Sequence, residues 1–139
     1  MIKTMKLGGR DVQFSTSFAW AFTYRAQFGQ DPAKVLIPTF KKVMTDETIA
    51  AIEDDDKRQQ EQSFALLEEL GFTGIVQVAW AMAKLVDKNT PVPAEWVESF
   101  GDDFPVMDLL DELISEAIIS CFSTKKSEAP TPAEQKKKK

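Results

Sequence analysis

The chain contains no histidine and a single cysteine, Cys121. Those shortages remove the common ligand sets for zinc, copper and non-haem iron. They also remove the imidazole general base, the Ser-His and Cys-His nucleophile pairs, and any internal disulfide. Neither an enzyme nor a cofactor is expected. A lone thiol without a disulfide fits a reducing cytoplasm, and residues 1–6 lack the apolar core of a signal peptide. A membrane span needs ~20 nearly unbroken apolar residues. The longest apolar stretch, residues 72–86, is interrupted by Thr73, Gly74, Gln77 and Lys84 and reads as a buried core helix. Gly8-Gly9 lacks the Gly-Lys-Ser/Thr ending of a phosphate loop. Asp54-Asp55-Asp56 lacks the glycine and the distal glutamate of a calcium loop and adjoins Lys57 and Arg58, so it reads as hydrated surface.

What is present is the material of one globular domain. With 139 residues, 43% hydrophobic and 28% charged, the chain falls in the globular range, and ten Phe and three Trp can build a core. Charge is distributed unevenly. Residues 1–42 carry seven basic and two acidic side chains, a net of +5. Residues 43–122 carry four basic and eighteen acidic, a net of −14, and residues 123–139 carry six basic and two acidic, a net of +4. So acidic a body repels nucleic-acid phosphates, and no nucleic-acid partner is expected. The opposed charges make head-to-tail self-association possible, a heterologous contact.

The pattern predicts a mostly α fold: an N-terminal β-hairpin, a compact bundle of about five helices over residues 1–122, and a disordered Lys-rich tail over 123–139. Gly8-Gly9 predicts a hairpin turn between short strands at 3–7 and 11–14. Thr16 or Ser17 is the expected cap of a helix over 18–28 that stops at Gly29. Trp20, Tyr24 and Phe28 share one face of that helix, and Phe18 and Phe22 an adjoining one, which predicts packing on more than one side. Asp31-Pro32 starts a second helix, which Pro38 should kink or end. Thr45-Asp46-Glu47-Thr48 is another start. Residues 53–62 read as a solvated loop or solvent-bridging helix, Phe64, Leu66, Leu67 and Leu70 restore apolar spacing, and Gly71 marks a break. Residues 72–86 form the central helix, in which Ala79, Ala81 and Ala83 permit close approach. After a turn at 88–93 comes a short helix with Trp96. A last amphipathic helix, capped by Asp102 or Asp103, carries Val106, Leu109, Leu110, Leu113, Ile114, Ala117, Ile118 and Cys121 inward. Its Asp108, Asp111, Glu112 and Glu116 face water. The segment from Ser123 holds no large apolar residue and cannot offset its ordering entropy.

Most of the aromatic residues should be core, yet their number also suggests an interface. Trp96, on a very short helix where burial is hardest, is the leading candidate. Trp20, Tyr24, Trp80 and Phe100 are the further partner-binding candidates.

The order of features resembles a known family. A glycine-turn hairpin is followed by Phe18-Ala19-Trp20-Ala21-Phe22-Thr23-Tyr24-Arg25-Ala26-Gln27-Phe28-Gly29-Gln30-Asp31-Pro32. Then come Val78-Ala79-Trp80-Ala81-Met82-Ala83-Lys84, Pro93-Ala94-Glu95-Trp96 and an acidic closing helix. Over residues 5–122 this resembles the tail assembly chaperones of long-tailed bacteriophages. The resemblance implies that the chain binds and solubilises the tape measure protein in the host cytoplasm. It implies recruitment of the tail tube protein, mainly through a frameshifted long form, and absence from the finished virion. Lys136-Lys137-Lys138-Lys139 then reads as the translated trace of a slippery adenine run, and the chain as the short form. The other readings are a tail completion or minor structural protein retained in the particle, and a helical adaptor unrelated to phage.

Overall fold

A computed structural model describes residues 1–117. The chain begins as an antiparallel hairpin of β1 (Ile2–Leu7) and β2 (Arg10–Ser15), joined by Gly8-Gly9. Both glycines have positive φ, as a two-residue turn with the right strand twist requires. At Gly8 even the space is reserved, because a Cβ there would stand 2.5 Å from the Phe100 carbonyl oxygen. The register pairs Lys3 with Phe14, Met5 with Val12 and Leu7 with Arg10, so these residues share the inner face. Met5, Leu7 and Phe14 are buried there. Lys3 crosses to the last helix, donating to the Glu112 carbonyl at 2.7 Å and pairing with Glu116 at 3.4 Å. Arg10 lies over the Phe100 ring, 4.0 Å from its centroid. The hairpin is thereby docked rather than free-standing, as a marginal two-stranded sheet must be.

Six helices follow among the described residues: α1 (Trp20–Phe28), α2 (Ala33–Met44), α3 (Glu47–Ala50), α4 (Asp55–Val86), α5 (Pro93–Glu98) and α6 (Val106–Leu109). Helix α6 runs on as a π-helical turn, Leu110–Ile114, and helical residues 115–117. Short polar side chains set three of the starts. Asp31 accepts from the Ala33 N–H at 2.8 Å, Asp46 from Thr48 and Ile49 at 2.9 and 3.1 Å, and Asp54 from Lys57 at 3.2 Å. Gly29, left-handed, closes α1.

Helix α4 organises the molecule. It contacts β2, α1, α2, α3, α5, α6 and the π-helical turn. At Gly71 (φ 74°, ψ 165°) its backbone is not helical, so it consists of two arms, 55–70 and 72–86. The second arm buries Ile75, Val78, Ala79, Trp80, Ala81, Met82 and Ala83. Consecutive buried residues mean that it is wrapped on several sides, which the small alanines permit. By length and composition alone α4 could cross a membrane. The break at Gly71 divides it, and the second arm is the one that the other elements enclose.

Two aromatic runs line this core. Trp20, Tyr24, Phe28 and Trp80 follow one another with centroid spacings of 6.4, 4.7 and 5.6 Å. Phe14, Phe100 and Phe104 surround Trp96 at 6.3, 5.4 and 5.7 Å. Such edge-to-face pairs each add ~0.5–1.5 kcal/mol beyond burial.

Several expectations are corrected. Helix α1 buries one face only, and Phe18 and Phe22 stand 65% and 72% exposed. Pro38 neither ends nor interrupts α2. It lies on the exposed side, so the missing hydrogen bond faces solvent. Of the two readings of residues 53–62, the helix holds for 55–62, which are the first turns of α4. Asp102 and Asp103 do not cap the last helix, which starts at Val106 without a side-chain cap. Pro105 disfavours helical backbone at the residue before it, moving the start downstream. The readings of Ile118, Cys121 and the 123–139 tail lie outside the described residues.

Candidate functional site

The aromatic residues singled out from the sequence are not surface residues. Trp20, Tyr24 and Trp80 are 2% exposed, Trp96 3% and Phe100 7%. They meet within the two aromatic runs and act as packing. Trp96 is sealed because the hairpin supplies Phe14 and the following loop Phe100 and Phe104, so a short helix suffices to bury it. The Trp80 indole donates to the Pro91 carbonyl at 2.6 Å, tying α4 to the turn before α5. Trp20 Nε1 has no acceptor among the described residues. Burial pushes the Tyr24 phenol above its usual range, against a smaller opposing effect of its hydrogen bond with Gln30.

The exposed apolar surface belongs to other side chains. A groove of about 890 Å³ runs between α2, the first arm of α4 and the last helix. Phe40, Val43 and Leu66 form its apolar floor, Met107 closes one side, and Met44 and Phe64 stand at its mouth, 53% and 49% exposed. Asp56, Asp111 and Glu116 form its rim, with Gln59, Gln60 and Ser63 between. Among the described residues no lysine or arginine lines it.

Helical spacing builds each wall. Asp56, Gln59, Ser63 and Leu66 succeed one another at three- and four-residue intervals along α4, giving a stripe that is polar at one end and apolar at the other. Met107, Asp111 and Ser115 do the same across the π-helical turn. Ser63 donates to Asp111 at 2.7 Å, so the walls touch. Outside the mouth Lys42 pairs with Glu69 at 2.7 Å and joins α2 to α4. The hydrogen bond and charge of Glu69 hold the Lys42 ammonium above its usual range. Through the Lys3–Glu116 and Lys42–Glu69 pairs, part of the N-terminal positive charge meets the acidic body within one chain.

The polar groups here are carboxylates, carboxamides and hydroxyls, set about an apolar floor with the thioethers of Met44 and Met107 beside it. That set offers hydrogen bonds, charge and adaptable apolar contact, the last favoured by methionine. A second cleft of about 510 Å³, between the hairpin and the end of α4, is smaller and more polar.

The sequence suggests an acid-edged groove holding at least one of Trp20, Trp80 and Trp96; this groove is edged by acids but lined by none of the three. Residues 53–62, read only as a loop or helix, open one of its walls. Phe64 reads only as restoring apolar spacing with Leu66, Leu67 and Leu70, which leaves its exposure undecided. The available signal was a carboxylate- and glutamine-rich helical run leading directly into a phenylalanine.

No family model, no curated protein and no solved structure matches the chain.

Proposed function

We propose that the chain is a tail assembly chaperone of a long-tailed bacteriophage, which covers apolar helical segments of the tape measure protein before the tube closes around them. The observation that carries this reading is the groove with exposed Met44 and Phe64 at its mouth, Phe40, Val43 and Leu66 on its floor, and carboxylates on its rim. An amphipathic helix laid in an apolar groove is a recurrent mode of recognition, read by anchors at three- and four-residue spacing. A ring and a thioether exposed side by side over an apolar floor suit a partner, because contiguous apolar surface favours association. The acidic body suits the task, since strong net charge keeps a complex with an apolar client in solution. The order of hairpin, aromatic helix and acidic closing helix gives the resemblance to this family. In this reading the tube protein is recruited mainly by a frameshifted long form, and the chaperone leaves before the virion is complete.

Co-expression with the tape measure protein tests the proposal. The intact chain should carry that protein into the soluble fraction as a complex, and Phe64→Ser should not. Equal precipitation of the tape measure protein with and without the chain would refute the reading.

A further inference from the structure

We infer that the groove selects amphipathic helices whose apolar stripe is flanked by lysine or arginine. The inference rests on the groove being the client site. The floor sets only a demand for apolar area, which any greasy helix meets. The rim makes the demand specific. Asp56 and Asp111 have no cationic partner among the described residues, and Asp111 accepts only the neutral Ser63 hydroxyl. The third rim carboxylate, Glu116, faces Lys3 at 3.4 Å in a pair that both members leave partly exposed. With no basic residue lining the groove among the described residues, the rim presents one sign of charge. A helix bearing Lys or Arg beside its apolar stripe satisfies both carboxylates as it docks, and one bearing Glu meets repulsion. Long basic side chains suit this geometry, because their aliphatic stems extend the apolar contact while the charged ends reach the rim. Rim charges of this kind act on specificity and on the rate of encounter, and salt weakens them.

Fluorescence anisotropy with the full chain and three labelled helical peptides tests the inference. The peptides share one apolar stripe and carry Lys, Gln or Glu at the flanks. Affinity should fall in that order at low salt, with the differences narrowing at high salt. The double variant Asp56→Asn, Asp111→Asn should lose roughly five- to tenfold for the Lys peptide and little for the Gln peptide. Equal affinity for all three, abolished by Phe64→Ser, would overturn the charge selection and leave the groove as client site. Failure of all three to bind would overturn both. Displacement of every peptide by a synthetic segment spanning residues 118–139 would give the groove to the chain's own sequence. Loss of binding with dimerisation in sedimentation would give it to a second copy. Either result overturns the inference.

Discussion

Ser63 on α4 donates its hydroxyl hydrogen to the Asp111 carboxylate at 2.7 Å, and the two residues stand on opposite walls of the groove. Both are near the surface, so the bond clasps the walls without anchoring the fold. Ser63→Ala is expected to cost no more than about 0.5–1.5 kcal/mol in urea unfolding. It also releases a carboxylate, so the same variant should bind a basic-flanked helix at least as tightly as the parent chain.

The mouth of the groove separates binding from stability. Met44 and Phe64 are about half exposed, so replacing both with serine removes little buried area. The unfolding midpoint should shift by no more than about 1 kcal/mol equivalent. Client affinity should fall more than tenfold, because exposed apolar anchors carry much of such an interface. Trp96→Ala should do the reverse in order of severity, destabilising the fold first, by ~3–5 kcal/mol.

Gly71 and Gly74 lie three residues apart on α4 and should respond to alanine with opposite signs. Gly71 holds φ 74° and ψ 165°, a region that residues with a Cβ avoid, and no neighbouring atom crowds the site. Gly71→Ala is therefore a pure backbone test, with an expected loss of about 1–3 kcal/mol. At Gly74 a Cβ would make ordinary contact with Leu70 at 3.4 Å. Gly74→Ala should stabilise by roughly 0.5–1 kcal/mol through helix propensity. Chemical denaturation of the two variants side by side checks both signs.

The two deeply buried indoles of the first aromatic run differ in one bond. Trp80 donates to Pro91, whereas Trp20 Nε1 has no acceptor among the described residues. Replacing either with phenylalanine sheds the same atoms, but only Trp80→Phe gives up a hydrogen bond. Its cost should exceed that of Trp20→Phe by about 1 kcal/mol, measurable from the difference in urea midpoints.

Tyr24 gives an alkaline signature. Its phenol ionises above the usual value of 10.0 when folded, because burial disfavours the phenolate. Above that value the unfolded chain gives up the proton first. The stability contribution is thus complete below pH 10.0 and is lost as pH climbs through the folded value. Tyr24→Phe should flatten this part of the decline. Since Tyr24 is the sole tyrosine, tyrosinate absorbance follows it directly, and a normal titration midpoint in the folded protein would defeat the expectation.

What could be read from the sequence was what local chemistry decides. Gly8-Gly9 fixes a turn by its own backbone freedom, Asp31 and Asp46 satisfy N–H groups two or three residues away, and Gly29 closes the helix it follows. None of these depends on a distant neighbour. Which face of α1 lies inside does depend on one. Its apolar residues run all around the wheel, so nothing in the local sequence separates Trp20 and Tyr24, which are buried, from Phe18 and Phe22, which are exposed. Trp96 is the same case: its burial is decided by Phe14, more than eighty residues upstream. The groove was illegible because it belongs to three elements at once, and no single stretch carries its concavity.

The interruption at Gly71 divides labour along one continuous stretch of chain. The part that follows it is locked among alanines and rings and tolerates almost no change in volume. The part that precedes it lines the groove, and in the proposed function it is the part that meets the client. On the proposed function, inheritance can rewrite that jaw, altering charge or girth to follow a changing ruler, while the keel beneath it stays fixed.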